Sequence, residues 1–227
     1  MKQLEKDYKR IVVKIGSSLF CSDERGFEHS IFNHIAGQIS KLISLKKDVL
    51  IVSSGAIALG MRVLRLKSRP KELSYLQAAA SLGQNVLMDN YSQVFGNCGQ
   101  ILLTWEDFND RKRYLNAKNT ILTLLKLGSI PIINENDTVS TDEIKFGDND
   151  RLSALVSSLI GADLLIILSD VDGLLDKNKK VIQVINEITP QIKALACPTN
   201  KKTCVGGMLT KIEAAKISMD SGIPCVI

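Results

Sequence analysis

Five short runs of almost unbroken Ile, Val and Leu, separated by longer segments with helical spacing, constrain this 227-residue chain more than any other feature. A strand that faces water on one side alternates polar and apolar residues. A strand buried on both sides reads as a continuous apolar run, and its natural setting is a parallel sheet with helices on both faces. The runs predict strands over 10–15, 49–53, 100–104, 130–134 and 164–169, with a further strand over 224–227. Helical periodicity is clear over 30–46, where Ile31, Ile35, Ile39, Leu42 and Ile43 share a face. Further helices are expected over 76–95, 115–127, 152–160 and 209–220. The fold class that follows is α/β.

Composition narrows the setting. Lys and Arg number 29 against 24 acidic residues, a net charge of +5 spread along the chain. Clusters such as Lys177, Lys179, Lys180 and Arg111, Lys112, Arg113 read as solvated faces, not as the dense basic stripe of a nucleic-acid binder. Five cysteines without a C-x-x-C pair suit reduced thiols and a cytoplasmic chain. The start is charged and polar, unlike a signal peptide, and no apolar run approaches the ~20 residues of a membrane span. His29 and His34 lie five apart, which turns them to different helix faces and argues against a shared metal site.

Several strands end in small or polar residues, and in open α/β sheets ligands gather beyond the carboxyl ends of the strands. The first such end is Val12-Val13-Lys14-Ile15-Gly16-Ser17-Ser18. A lysine inside an apolar strand is costly unless it meets an anion, and Gly16 with its serines offers backbone N–H groups to phosphate oxygens. The alternative is an edge-strand lysine pointing to water. The second, Ser53-Ser54-Gly55-Ala56-Ile57-Ala58, leads a strand into a helix N-terminus that suits phosphate or carboxylate; simple serine capping is the alternative.

Third come Asn134-Glu135-Asn136-Asp137 and Gly147-Asp148-Asn149-Asp150. Asx turns and a helix cap account for such residues singly. Two clusters near one sheet edge point to a polar pocket suited to an amino acid's ammonium group. Fourth is Val205-Gly206-Gly207-Met208-Leu209-Thr210-Lys211, a glycine pair opening a helix whose amides and Lys211 can cradle a nucleotide phosphate. Lys14 and Lys211 thus converge on phosphate-friendly loops, as phosphoryl transfer requires. No G-x-x-x-x-G-K-[ST] loop and no protein-kinase motif set is present.

Taken in order, these segments, with Gln100-Ile101-Leu102-Leu103-Thr104 and Phe146-Gly147, resemble the amino-acid-kinase family over almost the whole chain. The Asn-Glu-Asn-Asp and Gly-Asp-Asn-Asp pair resembles the branch of that family that phosphorylates glutamate, the first step of proline synthesis. The resemblance implies one amino-acid-kinase domain over 1–227, a three-layer αβα sandwich around a mostly parallel sheet. It implies that Lys14 and Lys211 touch the ATP phosphates and that Asp150 holds the two lysines. Ser54, Asp137 and Asn149 would bind glutamate with Asn134 close by. Ser169, Asp170 and the segment Val205, Gly206, Gly207, Met208, Leu209, Thr210 and Lys211 would contact ATP. Mg²⁺ would bridge phosphate oxygens. The same resemblance implies a homo-oligomer, feedback by proline, a downstream reductase for γ-glutamyl phosphate, and neither nucleic acid nor membrane as partner.

The chain departs from the family pattern at Cys204-Val205, where Gly-Thr is usual, and in a short loop over 174–180. It also ends at Ile227, without the PUA domain that many relatives carry. A sister kinase acting on acetylglutamate or aspartate fits the fold but not the acidic-amide pair. A non-catalytic glutamate or proline sensor fits the departures but not the retained lysines.

Overall fold

The computed structural model of the chain describes residues 7–22, 26–140, 149–196 and 207–227. In chain order these residues form β1 (Arg10–Ile15), a small antiparallel pair β2 (Cys21–Ser22) and β3 (Gly26–Phe27), α1 (His29–Ser44), β4 (Asp48–Ser53), α2 (Ala56–Val63) and α3 (Leu73–Phe95). There follow β5 (Cys98–Leu103), α4 (Glu106–Asn109), α5 (Arg111–Lys126), β6 (Ile130–Glu135), α6 (Asp150–Ile160), β7 (Leu164–Leu168), α7 (Pro190–Leu195), α8 (Met208–Asp220) and β8 (Cys225–Val226). Six strands make one sheet in the order β5-β6-β4-β1-β7-β8, and every pairing in it is parallel.

Side-chain parity along each strand sorts the core into two layers. Val12, Leu50, Val52, Ile133, Leu165 and Ile167 point to the face covered by α5, α6 and α8, where Ile121, Leu152, Leu159 and Ala214 meet them. Ile11, Val13, Ile15, Val49, Ile51 and Ile132 point the other way, onto Phe32 and Ile39 of α1 and Leu87 and Tyr91 of α3. The expected three-layer αβα sandwich is the architecture found. β1 and β4 are central, so the chain's continuous apolar runs lie where both faces are covered.

The differences from expectation have local causes. α5 begins at Arg111, four residues before its apolar pattern, because the Asp110 side chain accepts from the Arg113 N–H at 2.8 Å and caps a polar first turn. The four-residue α4, six-residue α7 and two-residue strands β2 and β3 are too short for a period to show. α3 starts three residues earlier than its expected 76, at Leu73. The basic clusters expected at the surface, Arg111 to Arg113 and Lys177, Lys179 and Lys180, are exposed. No helix among the described residues is long and apolar enough to cross a membrane.

One packing contact positions the site. α2 lies across α3 so closely that a Cβ on Gly83 would sit 1.8 Å from the Ala56 carbonyl oxygen, and one on Gly60 would sit 1.7 Å from that of Ala79. Both obstacles are backbone, so only glycine fits. The contact fixes the start of α2, which Gly55 enters at a φ of +108° that L side chains rarely adopt.

Candidate active site

Lys14 shares the parity of Val12 and so faces the α6 and α8 side of the sheet from its central strand. It is 4 % exposed, far from the edge-strand position that would have let it reach water. Its Nζ lies 2.6 Å from Asp150 Oδ1. Lys211, on the first turn of α8, places its Nζ 3.0 Å from the other oxygen, Asp150 Oδ2. Thr210 Oγ1 stands 3.1 Å from that same oxygen. Asp150 opens α6 and is fully buried. Three buried charges are tolerable only as a mutually paired set, since each ion alone would lose several kcal/mol of hydration. The triad carries net charge +1. Each ammonium directs one of its three N–H donors at Asp150.

The residue before Asp150 serves the opposite side of the sheet. Asn149 occupies the N-cap position of α6 but makes no side-chain cap. Its amide is committed elsewhere: Nδ2 donates to the Ser53 carbonyl and, at 2.6 Å, to Asn134 Oδ1. Asn134 in turn donates to Gln84 Oε1 of α3 at 2.8 Å and accepts from the Glu135 N–H at 2.9 Å. Tyr91, one α-helical stripe along from Gln84, donates its hydroxyl to Ser53 Oγ at 2.8 Å, and burial pushes its pKa up. These groups back a small polar pocket of about 70 Å³ lined by Ser17, Ser54, Asn134, Asp137, Asn149, Arg69 and the first turn of α2. Burial pushes the Asp137 carboxyl up to about 6, against the pull of the Arg69 guanidinium. Glu135, on the other face of β6, is pushed up to about 7 by burial as well.

A larger open cavity of about 500 Å³ lies beyond the end of β7, lined by residues 169–175, Leu195, Gly207, Met208 and Lys211. Its size falls in the range of small-molecule and cofactor sites. Among the described residues, no group of three or more His, Cys, Asp or Glu side chains could hold a metal ion.

The residues singled out in the sequence therefore sort into three places. Lys14, Asp150 and Lys211 form the triad, joined by Thr210. Ser54, Asn134, Asp137 and Asn149 line the small pocket. Ser169, Asp170, Gly207, Met208 and Lys211 line the large cavity. Leu209 is half-buried on α8 and lines neither. Val205 and Gly206 lie outside the described residues. Gln84, Arg69 and the Gly60–Gly83 contact were not anticipated. Gln84 had a readable signal, an amide within the apolar stripe Leu76, Ala80, Gly83, Leu87; Arg69 sits in a polar connection and had none.

With this geometry in view, comparison with known proteins places the chain. Residues 9–227 match the amino acid kinase family. The chain is 49% identical over 237 aligned positions to a glutamate 5-kinase of Burkholderia cenocepacia, an alignment covering 100% of this chain and 64% of that protein. A glutamate 5-kinase of Cupriavidus metallidurans is 51% identical over 224 positions, covering 94% of this chain and 60% of its own length. The chain thus spans less than two thirds of the curated relatives it matches. Among solved structures, carbamate kinase from Giardia lamblia bound to AMP-PNP superposes with a TM-score of 0.62 at 18% identity, over 95% of this chain and 90% of that one. N-acetylglutamate synthase from Neisseria gonorrhoeae, complexed with coenzyme A and N-acetyl-glutamate, gives 0.64 at 13% identity, over 96% and 54%. These two likenesses establish the shared fold.

Proposed function

This chain belongs to the amino acid kinase family, and from that premise we propose that it transfers the γ-phosphoryl group of ATP to the γ-carboxylate of L-glutamate. The observation that carries the reading is the buried triad, in which two lysines from distant segments hold the two oxygens of Asp150. Lys211 also lines the large cavity, and Asn149, the neighbour of Asp150, lines the small pocket. One short stretch of backbone therefore joins the large cavity to the small polar pocket.

In this reading the large cavity takes ATP, with its phosphates toward Lys14 and Lys211. The small pocket takes glutamate, its ammonium toward Asp137 and the Asn149 amide oxygen, its α-carboxylate toward Arg69. Ser54 and the start of α2 add a hydroxyl and unpaired backbone N–H groups for an anionic end. One γ-carboxylate oxygen attacks the γ-phosphorus as the bond to the β,γ-bridging oxygen breaks, so that ADP leaves and an acyl phosphate forms. The attacking carboxylate is already ionised at neutral pH, so no general base is needed. The two ammonium groups stabilise charge on the transferred phosphoryl oxygens, the main task in such a transfer. Bound Mg²⁺ would supply further charge neutralisation at the phosphates. The donor set fits an ion held mainly by phosphate oxygens, with Asp170 and Asp172 as the carboxylates lining the cavity. The acyl phosphate product is labile and suits prompt consumption by a reductase.

ADP release measured with ATP and glutamate, N-acetylglutamate or aspartate tests the reading. Turnover with glutamate and little with the other two is expected, because an acylated nitrogen cannot carry the charge that Asp137 pairs with, and the side-chain carboxylate of aspartate is one methylene short of the phosphoryl group. Release independent of any acceptor, or a preference for N-acetylglutamate, would overturn it.

A further inference from the structure

We infer that Gln84 is a positioning residue that sets the polarity of an amide relay and so determines which atom of Asn149 meets the substrate. The inference rests on the glutamate reading above. Gln84 is 7 % exposed and interrupts the apolar face by which α3 packs on the sheet. Burying an amide there costs free energy that Leu or Met would not. What it provides is an acceptor, since its Oε1 takes a hydrogen from Asn134 Nδ2 at 2.8 Å.

That bond, together with the backbone N–H of Glu135, holds the nitrogen of Asn134 toward α3 and its oxygen toward α6. There Oδ1 accepts twice, from the Glu135 N–H at 2.9 Å and from Asn149 Nδ2 at 2.6 Å. The second hydrogen on Asn149 Nδ2 goes to the Ser53 carbonyl. Both donors of Asn149 are then used, and the only group it can offer the pocket is its carbonyl oxygen. An oxygen in the pocket that the Asp137 carboxylate also lines makes a paired acceptor for an ammonium, not a site for a carboxylate. If Asn134 turned over, its nitrogen would face the nitrogen of Asn149 and the Glu135 N–H, leaving three donors crowded together without an acceptor. Gln84 holds the end of this chain although its own Nε2 has no partner among the described residues. Its role is therefore one of orientation, exerted on the substrate's amine through two other side chains.

Calorimetric binding of glutamate, glutarate and ATP to the wild type, Gln84→Met and Gln84→Glu tests this. Glutarate keeps both end carboxylates and lacks the ammonium. Met matches the length of Gln without an acceptor, and should weaken glutamate binding about tenfold, the scale of one misplaced buried hydrogen bond. Glutarate and ATP should change by less than about twofold, since neither uses the amine acceptor. Glu restores an acceptor oxygen and should bring glutamate binding back to within about threefold of the wild type. Equal losses for glutamate and glutarate, a loss for ATP, or no rescue by Glu would overturn the inference while leaving the proposed activity standing. A wild type that binds no glutamate would overturn both. If Gln84→Met does not fold, hydrogen exchange of the Asn134 and Asn149 side-chain amides in the wild type decides the matter. Slow exchange is expected, and exchange as fast as that of exposed amides overturns the relay.

Discussion

The two faces of the sheet handle their buried polar groups by opposite means. On the α6 and α8 face, Lys14, Asp150 and Lys211 are charged and stable in the interior only because they pair. On the α3 face, Gln84, Asn134, Asn149 and Ser53 are neutral and are held by a directed chain of hydrogen bonds. Charge acts through distance and suits a reacting phosphoryl group, whose charge spreads over several oxygens. Amides act through orientation and suit recognition of a fixed substrate group. Asn149 and Asp150, adjacent in sequence, join the two. Disturbing the charged face should therefore change turnover, and disturbing the amide face should change binding.

The largest expected effect is on the charged face. Lys14→Ala or Lys211→Ala should lower kcat at least about a hundredfold, the scale of losing one transition-state donor. The calorimetric affinity for glutamate should stay nearly constant, because neither lysine lines the small pocket. Full turnover in either variant would break the comparison at its stronger side. Removing the shared anion is a sharper test: Asp150→Asn keeps the shape of the side chain but leaves two ammonium groups facing a neutral amide. Breaking a buried pair in this way costs about 3–5 kcal/mol, so the melting temperature should fall along with kcat. A variant that keeps the wild-type midpoint would show that the three charges are not mutually dependent.

A smaller effect is expected from the backbone that shapes the amide side. In Gly83→Ala the new methyl would meet the Ala56 carbonyl oxygen at 1.8 Å and the Gly60 nitrogen at 2.4 Å. Both belong to α2, so the helix must shift, at a cost of about 1–3 kcal/mol for overpacking. Because the start of α2 lines the small pocket, glutamate affinity should fall with stability while ATP affinity holds. Loss of ATP binding to the same degree would mean that the two faces do not respond separately.

How much of this was legible depends on whether a feature is local in the chain. Lys14 stood out because an ammonium within Val-Val-Lys-Ile needs an anion; that its strand is central and not an edge is a property of the sheet order. The Asn-Glu-Asn-Asp cluster declared itself as an excess of polar groups after an Ile-rich strand. What could not be read was the pairing between distant segments. The α3 amide that meets Asn134 lies fifty positions earlier; its place in an apolar stripe marks it as unusual, but nothing local names its partner. The Gly60–Gly83 approach is likewise a property of two helices crossing. That Asn149, at the start of α6, turns its amide to Ser53 and Asn134 shows only in the fold.

The smallest predicted effect is a proton. Asp137 is held near 6 by burial, above its ordinary 3.8, and Glu135 near 7. A carboxyl whose pKa is raised by folding keeps its proton in the fold at pH values where the unfolded chain has lost it. Its contribution to stability is therefore full below the unfolded value and is lost as pH rises through the folded one. For these two groups that window runs from about 4 to about 7. Glutamate reverses the balance at Asp137, because its ammonium favours the ionised carboxylate. Binding at pH 6 should accordingly release roughly half a proton, visible as a dependence of the calorimetric enthalpy on the ionisation enthalpy of the buffer. Affinity should rise as pH increases from 5 to 7 and then level off. Asp137→Asn should abolish most of the release, because Glu135 faces the other side of β6. If wild-type binding at pH 6 releases no proton, the ammonium does not sit against Asp137, and the amide face loses its assigned partner.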